Sequence, residues 1–168
     1  MAMKLLPLTI YDGTDVYDML QRLPAEENGF INYIAGKSYD EFRAWLVRQA
    51  ENALKTEIED GYRVPQAVYW LYLDERPVGM GKLRYFLTDA LRQSGGHIGY
   101  AIVPDARGRG CGEALLKGLL HEAALKGIDR ALITVHNDNP ASIRVGLKCG
   151  GQIERVSEER HYIWCPCR

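Results

Sequence analysis

A glycine-rich turn between two strongly patterned segments constrains this chain more than any other feature. Residues Gly99–Gly112 read GYAIVPDARGRGCG, so an apolar, strand-like segment passes into an Arg- and Gly-rich turn. The run EALLKGLLHEAALKG that follows has the spacing of an amphipathic helix. The first N–H groups of a helix have no partner inside it, and together with the helix dipole they attract anions. Glycines also let a ligand approach the main chain closely. The pattern therefore predicts a site for a phosphate-bearing ligand.

Two common phosphate-binding motifs do not fit this turn. A P-loop needs Lys-Ser or Lys-Thr after its last glycine, and neither dipeptide follows here. A dinucleotide fingerprint needs Gly-x-Gly-x-x-Gly/Ala after a strand. The third small residue is replaced by Glu113 in one register and by Leu115 in the other. The ligand is therefore expected to be a phosphate-bearing cofactor of another kind.

The remaining pattern, Arg107-x-x-Gly110-x-Gly112, resembles the acyl-CoA-binding signature of the GCN5-related N-acetyltransferases, Arg/Gln-x-x-Gly-x-Gly/Ala. The β-branched run Arg130–Val135 downstream reads as a buried strand, as this family requires. The family then shows Asn-x-x-Ser and Lys-x-Gly on a short helix. The matching positions here are Asn139, Ser142, Lys148 and Gly150. A narrower resemblance, to a subgroup of predicted acetyltransferases, rests on Gly95–Tyr100, Arg63–Pro65 and Gly150–Gly151.

The resemblance implies one N-acetyltransferase domain over residues 1–168, of α/β (α+β) class, with a mixed, mostly antiparallel central sheet of about seven strands flanked by helices. The chain length suits one domain with a substantial core. Hydrophobic periodicity predicts strands at Lys4–Ile10, Ala67–Leu73, Pro77–Leu87, His97–Val103, Arg130–Val135, Gln152–Ser157 and Arg160–Trp164. Helices are predicted at Asp15–Arg22, from a Ser38–Glu41 capping box to Ile58, at Gly112–Lys126 and after Asn139. Irregular connections are expected at Glu26–Lys37 and Thr88–Gly95.

Composition excludes several other classes of function. The formal net charge is −1, so no overall basic surface points to nucleic acid as a partner. No apolar run reaches transmembrane length, and the N-terminal run is too short for a signal peptide, so we expect a cytoplasmic protein without membrane attachment. Four unevenly spaced cysteines do not make a disulfide framework. Cys165 and Cys167 lack a second ligand pair, so no metal site is expected.

The resemblance implies that the turn holds the pyrophosphate of acetyl-CoA, the co-substrate of the family. Main-chain groups at the end of the preceding strand would pair with the pantetheine arm. The cofactor-binding positions carried over in this way are Ile102, Val103, Arg107, Gly108, Arg109, Gly110, Cys111, Gly112, Glu113, Asn139 and Ser142. Asn139 also suits a helix N-cap, because Pro140 follows it at the first helical position. The two roles are compatible.

The reaction implied is direct attack of a small-molecule primary amine on the thioester. An ammonium group with a pKa of about 10.4 must lose a proton before it attacks, so a base is needed. His97 and His136 are the candidate bases, because an ordinary histidine titrates near neutrality. The alternative for each is a structural, hydrogen-bonded histidine. A strand amide near Val103 is the candidate donor to the developing oxyanion.

This chain departs from the family pattern at the position of the general acid. A Tyr normally protonates the leaving thiolate, and Gly146 occupies its position here. Tyr100 is the candidate substitute, with Tyr62, Tyr162 and water as alternatives. Because a thiolate is a good leaving group and acid help contributes about 10²–10⁴-fold, an active enzyme is expected. The alternative is an acyl-CoA-binding module with little or no transferase activity.

The acceptor end is less well defined by the sequence. In the resembled family the acceptor pocket lies near the second helix and the strands preceding the glycine turn. Tyr62, Arg63 and Arg84 are the candidates to line it, and exposed pairing residues are the equal alternative for these three. A homodimer is compatible with the family resemblance.

Overall fold

The elements follow the predicted order, with antiparallel strands at both ends of a central strand–helix–strand unit. The computed structural model describes residues 1–168. Its helices are α1 Thr14–Arg22, α2 Tyr39–Asn52, α3 Asp89–Gln93, α4 Cys111–Leu125 and α5 Pro140–Lys148. Its strands are β1 Met3–Pro7, β2 Glu26–Glu27, β3 Phe30–Ile31, β4 Gln66–Leu73, β5 Arg76–Arg84, β6 Ile98–Ile102, β7 Arg130–His136, β8 Gln152–Val156 and β9 Arg160–Pro166. None of the helices combines the length and apolar character needed to cross a bilayer.

Seven strands form two antiparallel sheets, in the orders β1-β4-β5-β6 and β7-β9-β8. The other two strands form the small β2–β3 hairpin. This arrangement confirms the mixed α/β class and the expected number of principal strands. The two sheets meet at a single backbone hydrogen bond, in which the His97 N–H donates to the Leu132 carbonyl at 2.8 Å. Beyond this junction β6 and β7 are not paired, and a cleft opens between them.

The core lies where α4 packs on the first sheet and where α1 and α2 cover its other side. A cluster of 32 buried side chains joins both sheets, since it includes Trp70 and Leu83 as well as Ile163. Close approach of α4 needs Gly81, because a Cβ there would lie 2.8 Å from Leu119 Cδ1. The framework on either side of the cleft is therefore tightly packed, and the cleft itself is the gap between two rigid sheets.

Two predicted elements end earlier in the structure than expected. The helix capped by Ser38 ends at Asn52 rather than Ile58, and Leu54 is 83% exposed, so its apolar spacing beyond Asn52 was misleading. The first strand ends at Pro7, because the Asp12 carboxylate accepts the Thr9 N–H at 2.8 Å and closes a turn.

Two further segments contain structure where irregular connections were expected. Within Glu26–Lys37 lies the β2–β3 hairpin, which is too short to give a periodic signal. Within Thr88–Gly95 lies α3, whose N-terminus is capped by the Thr88 side chain accepting the Leu91 N–H. The strand predicted at Pro77–Leu87 ends earlier, at Arg84. The Tyr85 N–H still donates to the Pro65 carbonyl in the same register, but Pro65 has no N–H to return the bond, so the ladder stops there.

Candidate active site

The cleft between β6 and β7 encloses about 670 Å³. One part of its lining, here called the turn end, consists of the glycine turn, the start of α4 and the start of α5. Another part, called the hairpin end, consists of the β2–β3 hairpin together with Lys82 and Arg84 of β5. A cavity of this size, open between two sheets and bordered by a helix N-terminus, is suited to a long phosphate-bearing ligand.

The turn end offers a continuous run of free backbone donors. None of the amides from Gly108 through Glu113 donates a hydrogen bond within the chain, and the first intrahelical bond of α4 runs from the Ala114 N–H to Gly110. Gly108 and Gly110 have φ of +77° and +82°, in the left-handed region that favours glycine. A Cβ at either position would meet nothing within 4 Å, so the turn needs glycine for its backbone angles rather than for space.

The backbone of β6 presents a different set of amides from the one expected. The Val103 N–H donates to the Val78 carbonyl at 2.9 Å, so it is unavailable to a ligand in the cleft. Because the groups of an antiparallel strand alternate in direction, the amides of Ile102 and Tyr100 point away from β5, towards the cleft. The expectation for the Val103 amide is corrected accordingly, and the amides of Ile102 and Tyr100 are the ones that face the cleft.

The two arginines of the turn have different surroundings. Arg107 lines the cleft, where its Nε donates to the Ile102 carbonyl at 3.1 Å and its Nη2 pairs with Glu27 at 2.5 Å. It therefore ties the turn to the β2–β3 hairpin. Arg109 is exposed and lies outside the cleft lining, beside Asp105 in a small surface depression.

The start of α5 joins the turn end through a short polar chain. The Asn139 side chain accepts the Ser142 N–H at 3.4 Å and caps the helix, with Pro140 at its first position. The Ser142 hydroxyl lies 3.0 Å from the Tyr100 hydroxyl. Burial raises the pKa of Tyr100 to about 12, so this phenol stays protonated at neutral pH. Cys111, Gly112 and Glu113 complete this end of the lining.

The position of the family's usual Tyr has no room for a large side chain. A Cβ on Gly146 would lie 2.8 Å from Ile133 Cδ1 and 3.4 Å from Ile163 Cδ1. The family's usual Phe after the last glycine is replaced by Gly151, where a Cβ would lie 2.6 Å from the Gly146 carbonyl oxygen. The two glycines therefore belong together, because they let α5 pack closely on β7 and β9.

The two candidate histidines differ sharply in environment. His97 is 7% exposed and lies outside the cleft lining, and its Nδ1 accepts the Leu132 N–H at 2.9 Å. Burial, with the nearby Arg92 and Arg84 charges, lowers the pKa of His97 to about 4. With its basic nitrogen occupied, His97 is a structural link between the sheets and not the expected base. His136 lines the cleft, and its imidazole makes no hydrogen bond within the chain.

The three residues predicted to line the acceptor pocket also differ in position. Tyr62 is 61% exposed, and Arg63 pairs with Glu59 and Asp60, and neither residue lines the cleft. The expectation for these two is wrong, because the loop before β4 turns its charged groups onto one another. Arg84 does line the hairpin end.

Sequence reasoning missed Lys82, which lies beside Arg84 in this wall. Lys82 is only 7% exposed, and its Nζ donates to the Ile31 carbonyl at 2.8 Å. The signal was present in the sequence, since a lysine interrupts the otherwise apolar strand PVGMGKL.

This geometry defines a class of proteins with a mixed α/β fold. In this class the central sheet splits beside the N-terminus of a helix whose first backbone amides are free. Residues 26–150 match the profile of the Acetyltransferase (GNAT) family, and the chain belongs to this family. A search of curated proteins found no match.

Solved structures share the fold over the whole chain. The N-acetyltransferase from Staphylococcus aureus Mu50 is 15% identical, with a TM-score of 0.67, and the alignment covers 100% of both chains. The N-acetyltransferase PseH of Campylobacter jejuni, solved with acetyl coenzyme A, is 11% identical, with a TM-score of 0.61 and coverage of 99% of this chain and 100% of that one. A chimera of the spermidine N-acetyltransferase SpeG from Vibrio cholerae and hSSAT is 13% identical, with a TM-score of 0.63 and coverage of 99% and 96%.

Proposed function

We propose that the protein is an N-acetyltransferase that moves the acetyl group of acetyl-CoA to the primary amine of a small molecule. The observation that carries the proposal is the run of free amides from Gly108 through Glu113 at the start of α4. Such a run binds the oxygens of a pyrophosphate, and it stands at the end of a cleft long enough for the rest of the cofactor. Family membership supplies the class of reaction.

The residues present fit the cofactor along the length of the cleft. The turn amides would hold the pyrophosphate. Of the two cleft-facing amides, Ile102 and Tyr100, the one that does not face the thioester carbonyl would pair with the pantetheine arm as a neighbouring strand does. Asn139 and Ser142 border the same path. Acetyl-CoA supplies an activated thioester, and the amine would enter from the hairpin end.

Three groups of this chain then serve the transfer. His136 would take the proton of the ammonium, because its imidazole lines the cleft and has no partner in the chain. The Tyr100 or Ile102 amide would donate to the oxygen on which negative charge develops. The protonated Tyr100 hydroxyl would give a proton to the leaving thiolate and recover it through Ser142, 3.0 Å away.

A second function, acyl-CoA binding without efficient transfer, is favoured by one observation. Gly146 stands where the family carries its acid, and the space above it is filled by Ile133. If Tyr100 does not replace that acid, binding would persist while turnover would be slow.

A thermal-shift and calorimetric titration with acetyl-CoA, CoA, ATP and NAD tests the proposal. Native-state binding at 100 times Kd raises the free energy of unfolding by about 2.7 kcal/mol, so acetyl-CoA should stabilise the protein selectively. Gly110→Trp should abolish this shift by covering the turn amides. Gly127→Trp is the matched control, because Gly127 also has a positive φ, +84°, with open space around it, at the other end of α4.

The outcomes separate the two functions. No response to millimolar acetyl-CoA would contradict both. Acetyl-CoA binding, followed by amine-dependent thiol release that His136→Gln reduces by about 10²-fold or more, would support the transferase. Binding without thiol release across a broad amine screen would leave the binding module.

A further inference from the structure

Two cations at the hairpin end, Lys82 and Arg84, have no counter-ion in the chain. They lie two residues apart on β5 and therefore on the same face of the sheet. Neither takes part in any ion pair within 4.0 Å. Buried charges in proteins are normally paired, because removing a charge from water is costly. A pair of unbalanced cations in a cleft wall therefore indicates an anion that arrives with a ligand.

The surroundings of Lys82 hold its ammonium group in place. Its Nζ donates to the Ile31 carbonyl at 2.8 Å and lies 4.6 Å and 5.1 Å from the ring centroids of Phe30 and Tyr33. Burial, followed by the charge of Arg84, lowers the pKa of Lys82 to about 7, and no carboxylate acts in the opposite direction. An ammonium group has three donors, so two remain for a ligand.

Arg84 is anchored by one edge only. Its Nη1 donates to the Gly95 and Gly96 carbonyls at 3.1 Å and 3.3 Å. The other guanidinium nitrogens have no partner within the chain. A guanidinium held in this way keeps donors free for an oxyanion, in the fork geometry that carboxylates and phosphates fit.

The rest of the lining has no free negative charge to attract a cationic acceptor. Its two carboxylates are Glu27 and Glu113, and each is already paired, with Arg107 at 2.5 Å and with Lys117 at 3.2 Å. The hairpin end thus selects against polyamines, for which unpaired acidic side chains would be needed.

We infer that the acceptor is an amine that also carries an anionic group, which Lys82 and Arg84 bind. This inference rests on the proposed function and names the substrate class of the same cleft. Lys82 stands opposite Gly99 in the ladder, one residue from the cleft-facing amide of Tyr100. An acceptor whose anion and amine are separated by a few bonds, as in an amino acid, would reach both the cations and a thioester carbonyl held by that amide. The rings of Phe30 and Tyr33 cover the apolar part of the acceptor.

Matched acceptors test the inference. Phenylalanine, methionine and leucine are each compared with three analogues, in which a phosphonate replaces the carboxylate, a carboxamide replaces it, or the carboxylate is absent. Spermidine is included as a polyamine acceptor. Acetyl-CoA-dependent thiol release gives kcat/KM, and calorimetry on the CoA complex gives binding without catalysis. An anionic acceptor should exceed its carboxamide by about tenfold or more in both measurements, as expected for charge-assisted hydrogen bonds. Whether the carboxylate or the phosphonate is preferred identifies the anion.

Variants assign the preference to the two cations. Lys82→Met and Arg84→Gln should each remove most of this preference, chiefly through KM, while acetyl-CoA affinity stays within about twofold. Lys82→Arg should retain part of the preference, because the charge remains. Arg63→Gln, which removes an arginine outside the cleft, is the matched control for Arg84→Gln.

The acceptor comparison can contradict this inference while the proposed function still holds. Equal use of the carboxamides or decarboxylated amines, or a preference for spermidine, would overturn the inference and leave the transferase standing. No thiol release with any amine would count against the proposed function, and calorimetry would then decide the inference. No binding of the anionic amines, or binding unchanged by Lys82→Met, would overturn it.

Discussion

At the scale of single residues, burial and hydrogen bonding decide which titratable groups of this chain can act in the proposed reaction. His97 and His136 look alike in the sequence, and only their environments separate them. His97 is locked by the Leu132 N–H at 2.9 Å, whereas His136 faces the cleft without a partner. Residue type therefore supplied a shortlist, and the tertiary contacts chose from it.

The buried His97 should make stability depend on pH. Its pKa is about 4 in the folded protein and about 6.5 when unfolded, so the unfolded state binds the proton more readily. The stability is complete above about pH 6.5 and is lost as the pH falls towards 4. His97→Asn keeps an acceptor for the Leu132 N–H but cannot titrate. Between pH 7 and 5 the variant should lose about 2 kcal/mol less unfolding free energy than the wild type, measured in urea. Parallel losses in both proteins would contradict this assignment.

In the absence of a ligand, the buried Lys82 should lower the free energy of unfolding. Burial lowers the pKa of Lys82 to about 7, so between pH 7 and 10 the unfolded chain holds a proton that the folded protein has lost, and the wild type becomes more stable as the pH rises through this range. Lys82→Met should raise the unfolding free energy at pH 7 by about 1 kcal/mol and flatten its increase up to pH 9. The exposed Lys55→Met serves as control. A Lys82→Met protein less stable than the wild type at both pH values would refute the prediction.

At the scale of elements, the packing of α5 on β7 and β9 depends on two glycines rather than on the family's aromatic pair. Gly146 and Gly151 occupy the positions of the usual Tyr and Phe, and both are crowded by Ile163. The space that a large side chain at position 146 would need is filled by Ile133. The two glycines and this isoleucine therefore pack together, and the departure from the family pattern keeps α5 tightly packed on its sheet.

Restoring the family residue should therefore damage the fold instead of improving catalysis. Gly146→Ala places a Cβ 2.8 Å from Ile133 Cδ1, the movable end of a side chain, and gains helix propensity, so it should lower the unfolding free energy by only about 1 kcal/mol. Gly146→Tyr should be worse and reduce the yield of folded protein. Gly13→Ala, with open space around the new Cβ, is the control. Denaturant titration of the three variants checks the order, and a stable, more active Gly146→Tyr enzyme would show that the packing argument is wrong.

At the scale of the whole molecule, the cleft exists because the two sheets touch at one point and separate beyond it. The contact consists of the His97 N–H bond to Leu132, the His97 ring and the close approach of Gly96. A second link runs from the Gly95 N–H to the Thr134 hydroxyl at 3.0 Å. These few bonds set the separation of the cleft walls, so a change there reaches a ligand that the residues do not contact.

Gly96→Ala tests this coupling. The new Cβ would lie 2.4 Å from the Leu132 carbonyl oxygen, and a positive φ of +61° adds backbone strain. We expect a loss of about 2–3 kcal/mol in unfolding free energy and a severalfold weaker acetyl-CoA affinity by calorimetry. Gly127→Ala carries the strain of a positive φ without the clash, and should leave affinity unchanged. Unaltered affinity in Gly96→Ala would mean that the junction does not control the cleft.

Much of the fold could be predicted from the sequence because it rests on local signals. The capping box at Ser38, the apolar spacing of α4 and the β-branched run of β7 each define an element within its own segment. Short elements escaped prediction. The β2–β3 hairpin has two residues in each strand, and α3 is only five residues long, so neither carries a readable period.

By itself, the sequence determined the strand–turn–helix unit at the centre of this protein and the glycines that give the turn its left-handed backbone, because these properties depend on neighbouring residues. The tertiary structure alone decided which strand amides face the cleft, which histidine is free and where Lys82 meets Arg84. Those properties depend on strand register, on the splitting of the sheet and on burial. Each of them is set by contacts between residues far apart in the chain, which no local pattern records.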